Sequence, residues 1–497
     1  MLFSGHFYIG SADNLRQRLR QHQADVDASL RLRASGISGI FETMAQHYDL
    51  AVIGSGSGGR EAALLGARQG LRTAIIEMGR VGGTCYHRGS HAVRALQACA
   101  RQFRDSWRSS RFGNKVDLLK VTLNDWMSAQ RMVTSRLVDN FQAELQRLNI
   151  DLIRGHGEFQ DQRTVQVIDE NGLKSTVTAE NIIIATGSRP NFQERLGART
   201  VNSDQLFGIS ALPERLAIIG AGYIGCEFAS IYRTLGAEVT LVEKADRVLP
   251  GWEAEAADCV AETLAMRRVN LILNCEVALN EIEESETGVH IGGQGKEAAD
   301  ADLVLIATGR KPNTEGLGLK AFGIDDTSTL KVDSCMRLQN LNLYAVGDVT
   351  GLSRLDSTAF SQANVAINSI LGRESCYDPR LVPRCIHTEP AIAAAGLSES
   401  EASSGGIEFV TASASMRLAT DSERSVIDPE PTFLKVIVEA NSRTLLGCLV
   451  AGDHAAVIAN IAAIAIHLKT PIDQFRDIPF AQPSAADALM ATLRKIG

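Results

Sequence analysis

Two short apolar runs in this chain end on the same pattern of glycines, and each opens a longer helix-like stretch. Asp49-Leu-Ala-Val-Ile and Arg215-Leu-Ala-Ile-Ile read as short buried strands. Each leads to an Ala/Leu-rich segment, Glu61 to Gln69 or Cys226 to Leu235, predicted as a helix with a stop glycine, Gly70 or Gly236. Thr73 to Ile76 and Glu238 to Val242 supply the next strands. Farther along, Leu123 to Leu148 carries apolar residues at mixed three- and four-residue spacing and predicts a long helix. Phe433 to Val438 reads as a strand and Ala455 to Leu468 as an apolar helix. The pattern predicts a mixed α/β fold.

Between strand and helix stand Gly54-Ser-Gly56-Ser-Gly-Gly59 in the first unit and Gly220-Ala-Gly222-Tyr223-Ile224-Gly225 in the second. The first glycine of such a motif allows a tight turn, and the second lets the backbone approach a pyrophosphate. The third packs helix against strand, leaving the helix N-terminus free to bind anionic phosphate. An acid closes each unit: Glu77 and Glu243 both lie 23 residues after the first glycine (77 − 54 and 243 − 220). There a carboxylate can accept hydrogen bonds from an adenosine ribose. The repeat extends to Asn181-Ile-Ile-Ile-Ala-Thr186-Gly187-Ser188 and Leu303-Val-Leu-Ile-Ala-Thr-Gly309, whose glycines are 122 residues apart. Two dinucleotide sites imply electron transfer between two bound dinucleotides.

Length and charge narrow the setting. At 497 residues the chain has room for about three domains. Its 45% hydrophobic and 22% charged residues are those of an ordinary globular protein. A net charge of −8 argues against nucleic acid or an anionic membrane as partner, and no apolar stretch is long enough to span a bilayer. Nine cysteines without close pairs fit a reducing cytoplasm. Residues 1–46 stand apart: Phe7-Tyr-Ile-Gly10 through Arg18 to His22 is similar to part of a GIY-YIG nuclease domain. It is too short for a metal-binding nuclease core, and a vestigial fusion or a start extended upstream of Met44 is expected there.

Several further motifs follow in order: Gly82-Gly83-Thr84-Cys85, Gly155-His-Gly157-Glu-Phe, Gly347-Asp348, and Val382-Pro-Arg-Cys-Ile-His-Thr388-Glu-Pro390. With the doubled fingerprint, they make the chain from Asp49 onward resemble the pyridine nucleotide–disulfide oxidoreductases, the group of dihydrolipoamide dehydrogenase and glutathione reductase. The resemblance implies two Rossmann-like dinucleotide-binding domains and a C-terminal α+β dimerisation domain. An FAD domain would comprise residues 47–190 and 313–376, an NAD(P) domain 191–312, and the interface of a homodimer 377–497. FAD would be held by Gly54, Gly56, Gly59, Glu77, Gly83, Thr84, Arg94, Gly157, Thr186, Gly187 and Ser188. Asp348, on the ribityl chain, and Arg354, Leu355, Asp356 and Ser357 would complete that site. NAD(P)H would be held by Gly220, Gly222, Tyr223, Ile224, Gly225, Glu227, Glu243, Val277 and Gly309. Glu243 favours NAD, since a carboxylate repels a ribose 2′-phosphate, and nearby Arg247 tempers that preference.

The resemblance breaks at the thiol chemistry. Relatives carry two cysteines separated by four residues, whereas this chain reads Cys85-Tyr-His87-Arg-Gly-Ser90. Disulfide exchange needs two sulfurs, and a serine hydroxyl cannot supply one. His91, Ala92 and Val93 also depart from the family pattern, and Arg94 replaces its lysine; Arg94 keeps the charge and can pair with Glu227. At the C-terminus, Gln482-Pro-Ser-Ala-Ala-Asp487 replaces the relatives' His-Glu pair, and glutamine has no proton to exchange near neutral pH. Soluble pyridine nucleotide transhydrogenases are similar in lacking the second cysteine. Cys85, Arg94 and Glu227 therefore remain as the catalytic set, with Ser90, Gln482 and Asp487 as degenerate positions.

These residues predict an FAD enzyme that oxidises NAD(P)H and reduces a small non-disulfide acceptor, such as a second nicotinamide, a quinone or a small oxidant. One alternative is a dihydrolipoamide dehydrogenase recruiting Cys99; another is a flavoprotein without turnover. Cys85 with His87 and His91, the two histidines taken as sharing a helix face, would crowd the flavin, so no metal is expected. Cys385 has no visible partner, and His387 is expected to pack rather than act as acid or base.

Overall fold

A computed structural model of the chain describes residues 46–109, 113, 121–192, 197–293, 296–338, 341–415, 431–481 and 484–497. The extension 1–46 (but for its last residue) and Gln482 lie outside the described residues.

The protein is a mixed α/β structure whose two parallel sheets repeat one design. In the first, strands Asp151–Arg154, Thr73–Glu77, Gln46–Ile53, Lys174–Ile184 and Leu343–Ala345 run parallel in that order. In the second the order is Asn270–Ile272, Glu238–Val242, Arg215–Ile219, Leu303–Ile306 and Thr200–Asn202. The strands that run into the glycines are central in both. Their apolar runs are continuous because helices cover both faces of such a sheet: Leu50, Ala51, Val52, Leu216, Ala217 and Ile218 are all buried.

Each sheet carries antiparallel strands of its own. The hairpin His156–Phe159/Thr164–Ile168 joins the edge of Lys174–Ile184, and Ile282–Glu284, Val289–Gly293 and Lys296–Ala301 form a separate three-stranded sheet. The two Ala-Thr-Gly turns are tied together, since Ser188–Pro190 and Arg310–Pro312, just beyond them, pair antiparallel. From Arg384 onward, a five-stranded antiparallel sheet packs against helix Ala455–Leu468.

The glycine helices begin earlier than their composition suggests, at Ser57 and Tyr223, because the turn glycines Gly56 and Gly222 are themselves the N-caps. The long helix is Leu123–Arg147, opened by a reciprocal Thr122–Asp125 capping box. A second long helix, Ser90–Arg108, was hidden in the sequence because arginines and glutamines fill its outer face. No described helix is long and apolar enough to cross a membrane.

Candidate active site

Each glycine turn is fixed by sterics. Gly54 has φ +103° and Gly220 φ +102°, which L side chains rarely adopt. A Cβ on Gly54 would also strike the Ala185 carbonyl oxygen at 2.4 Å, and one on Gly220 the Ala307 oxygen at 2.7 Å. So the first glycine packs on the Ala-Thr-Gly turn, which explains why both motifs recur together. The third glycines lie deeper: a Cβ on Gly59 or Gly225 would stand 1.9 Å from the carbonyl oxygen of Gly54 or Gly220. By contrast, nothing lies within 4 Å of where a Cβ would sit at Gly56, Gly187 or Gly222. Those backbone faces are open to a ligand.

The closing acids are held by their own turns. Glu77 accepts Ser55 N (2.8 Å), Ser55 Oγ (2.6 Å) and Gly79 N (2.6 Å). Glu243 accepts Ala221 N (2.7 Å) and Ala245 N (2.9 Å). Both are buried beside the glycines, where a ribose would complete their coordination.

A cavity of about 660 Å³ opens from the first turn. Gly54, Gly56, Glu77, Gly83, Thr84, Gly157, Thr186, Gly187 and Ser188 line it from the first sheet's side. Asp348, Arg354, Leu355, Asp356 and Ser357 line it from farther along the chain, and Tyr223, Ile224 and Glu227 from the second glycine helix. An open backbone cradle, a buried acid and a long cavity fit an FAD molecule. Asp348 is anchored at its inner end: Ser188 Oγ donates to Asp348 Oδ2 (2.5 Å), and Arg310 Nε donates to Ser188 Oγ (2.9 Å). Burial raises the Asp348 pKa above the usual carboxylate value.

Gly220, Gly222, Gly225, Glu243, Val277 and Gly309 do not line this cavity. The glycines and Glu243 form the separate second cradle, while Val277 packs on the apolar cluster around Ile282 and Ile291.

Where relatives keep a dithiol, Cys85 Sγ lies 3.1 Å from Ser90 Oγ. It also lies 2.9 Å from His91 Nδ1 and 2.9 Å from Asp356 Oδ2, to which the thiol donates. Ser90 donates to the same carboxylate oxygen, and Ser57 Oγ donates to Oδ1 (2.8 Å). Burial, the Asp356 charge and that hydrogen bond push the Cys85 thiol up to about 12. The station therefore holds a neutral thiol at physiological pH. None of the nine cysteines, all of them among the described residues, is in a disulfide. Cys99 lies nine residues beyond Ser90 on one helix, about 13 Å along its axis at 1.5 Å per residue, too far to pair with Cys85. Cys385 lines the cavity but contacts His387 Nδ1 (3.8 Å) rather than Cys85.

Two sequence expectations are corrected here. His87 and His91 do not share a helix face, because helix Gly83–His87 ends at its C-cap Arg88 and Gly89 (φ −116°, ψ −146°) caps the next helix, which starts at Ser90. His87 Nε2 turns instead to the Val81 carbonyl oxygen at 2.8 Å. Nor does an ion pair join Arg94 to Glu227 among the described residues. Glu227 accepts the backbone N–H of His387 (2.7 Å), and Arg94 lines the cavity together with His91, Cys385 and His387. Burial without a cation raises Glu227 to about 7, while burial and Arg94 lower His387 to about 4, leaving it neutral. Asp487 accepts Ser484 N (2.9 Å) at the head of the last helix.

Asp356 was placed near the flavin by resemblance, but its part in the Cys85 cluster was missed. The two are 271 residues apart, and the available signal was an acid opening a helix directly after the Gly347-Asp348 segment.

A family model described as pyridine nucleotide-disulphide oxidoreductase matches residues 48–369, and its dimerisation-domain model matches 382–493. Dihydrolipoyl dehydrogenase of Bacillus subtilis is 30% identical over 451 residues, covering 89% of this chain and 95% of that one. Its counterpart from Pseudomonas aeruginosa is 28% identical over 460 residues, covering 90% and 97%. Among solved structures, LpdA from Mycobacterium tuberculosis superposes with a TM-score of 0.84 at 25% identity, covering 91% of this chain and 100% of that one. The Cu(II) complex of the HOCl-induced flavoprotein disulfide reductase RclA from Escherichia coli superposes at 0.79 and 26%, with coverage of 91% and 100%.

Proposed function

The chain belongs to the pyridine nucleotide-disulphide oxidoreductase family, and from that premise we propose that it takes a hydride from NAD(P)H and delivers the electrons to an acceptor that is not a disulfide. The observation that carries this reading is the partner of Cys85: a hydroxyl at 3.1 Å where disulfide chemistry needs a second sulfur. The acceptor is a small molecule, a second nicotinamide, a quinone or a small oxidant, reaching the cavity beside Cys85.

Bound FAD supplies the two-electron relay. The protein's own residues do the rest. The first glycine helix and Gly187 hold the diphosphate end, Glu77 the ribose, and Asp348 with Ser188 the inner chain. The second cradle holds NAD(P)H, and Glu243 supports a preference for NAD, since a 2′-phosphate would face a buried carboxylate. Glu227, titrating near neutrality at the wall of the cavity, can hold or release the proton that accompanies a hydride. Arg94 supplies fixed positive charge on the same wall. Burial, together with Asp356, keeps Cys85 protonated and so out of nucleophilic chemistry.

Helix Ala455–Leu468 supports a homodimer: Val457 (51% exposed), Ile464 (59%) and Leu468 (66%) lie at i, i+7 and i+11 on one face. Steady-state assays test the function. NADH oxidation with a quinone or a nicotinamide analogue, and none with lipoamide, is the expected pattern; lipoamide turnover would refute it. Failure of every acceptor to reoxidise an NADH-reduced flavin would leave a protein without turnover.

A further inference from the structure

We propose that Cys85, His91 and Asp356 form a binding site for one zinc ion. Three elements deliver the ligands: the short helix Gly83–His87, the first turn of Ser90–Arg108, and the first residue of Asp356–Ile370. One donor atom from each, Sγ, Nδ1 and a carboxylate oxygen, lies within 4.8 Å of both others. Sulfur and imidazole nitrogen with one carboxylate is a borderline-soft donor set, which selects zinc over magnesium or calcium.

Proton counting shows what such an ion would satisfy. The Cys85 thiol and the Ser90 hydroxyl both donate to Asp356 Oδ2. That leaves sulfur lone pairs only 2.9 Å from His91 Nδ1. His91 Nδ1 is thus already within reach of an ion held by the sulfur. Binding proceeds as Zn²⁺ displacing the thiol proton to solvent: one Zn–S bond forms, one S–H bond breaks, and no electron moves. The product, Zn²⁺ with thiolate, carboxylate and neutral imidazole, carries no net charge. That neutrality suits a half-buried pocket, with Arg94 also on the cavity wall. Ser57, holding Oδ1 at 2.8 Å, orients the carboxylate from behind. Ser90 Oγ, 3.1 Å from Cys85 Sγ, or a water would fill the fourth position.

The site is independent of which acceptor the enzyme reduces, and it is tested by binding rather than turnover. The FAD-loaded protein is stripped with a chelator, titrated with Zn(II) and desalted, and bound zinc is counted. In parallel, Co(II) is added and its visible d–d bands are read to the red of flavin absorption. One zinc per chain and a tetrahedral cobalt–thiolate spectrum are expected. Both should be lost in Cys85→Ser and weakened at least about tenfold in Asp356→Asn and His91→Gln, while Cys99→Ser behaves as the parent. Flavin content reports folding of each variant; if Cys85→Ser loses flavin, the other two carry the test. No retained zinc, or equal uptake by parent and ligand variants, would overturn the proposal and leave a hydrogen-bonded cluster only.

Discussion

The two glycine turns of this protein are near copies, while the station at Cys85, 26 residues after Gly59 (85 − 59), has been rebuilt. Gly54 and Gly220 differ by one degree in φ, and Gly59 and Gly225 leave identical 1.9 Å gaps that no side chain can enter. The station, in contrast, retains one sulfur and adds a serine, a histidine and an aspartate around it. The cradles are constrained by backbone packing, which a side chain at those positions would have to displace. The station is constrained only by which side chains meet, so its chemistry can change without disturbing the fold.

The sharpest way to break that contrast is Ser90→Cys. It places a second sulfur at a position whose oxygen already lies 3.1 Å from Sγ. NADH uptake in an anaerobic titration should rise from one to two equivalents per flavin. Next come the paired substitutions Gly59→Ala and Gly225→Ala. Overpacking costs about 1–3 kcal/mol, or roughly five- to a hundredfold in affinity. Gly59→Ala should lower flavin retention, read as the absorbance ratio of purified protein. Gly225→Ala should keep the flavin and weaken NAD(P)H binding. Equal effects of both on flavin content would erase the distinction between the cradles.

Asp356→Asn probes the rebuilt station. Removing the carboxylate charge should lower the Cys85 pKa from about 12 toward the ordinary thiol value. Alkylation by iodoacetamide near pH 8 should then accelerate about tenfold for each unit of that fall. The smallest expected effect is at Glu227. Its pKa is raised to about 7 in the folded protein, so its contribution to stability is complete below the ordinary carboxylate pKa and is lost as pH rises through 7. Glu227→Gln should remove that slope from a denaturation midpoint measured between pH 5 and 8, along with any activity inflection near 7.

Much of this was legible in the chain because glycine constraints are local. A turn with positive φ and a 23-residue return to an acid are written in adjacent residues, and the parallel sheets follow from their strand runs. The station was legible only in what it lacks. Ser90 and His91 showed that the dithiol was gone, but what replaced it depends on Asp356, brought in by a helix 271 residues away from Cys85. The break at Arg88-Gly89 was equally invisible, since two non-helical residues separated two histidines that spacing alone placed on one face. Likewise Glu227 found a backbone N–H from His387, 160 residues distant, in place of Arg94. Pairings of this kind are set by tertiary approach, which periodicity does not encode.

The central claim is that the path beyond the flavin holds no second redox centre. Anaerobic titration of the FAD-loaded enzyme with NADH, followed by flavin absorbance, tests it directly. Complete reduction at one equivalent per flavin is predicted, because a neutral Cys85 beside Ser90 stores no electrons. Uptake of two equivalents, four electrons per flavin, would contradict it.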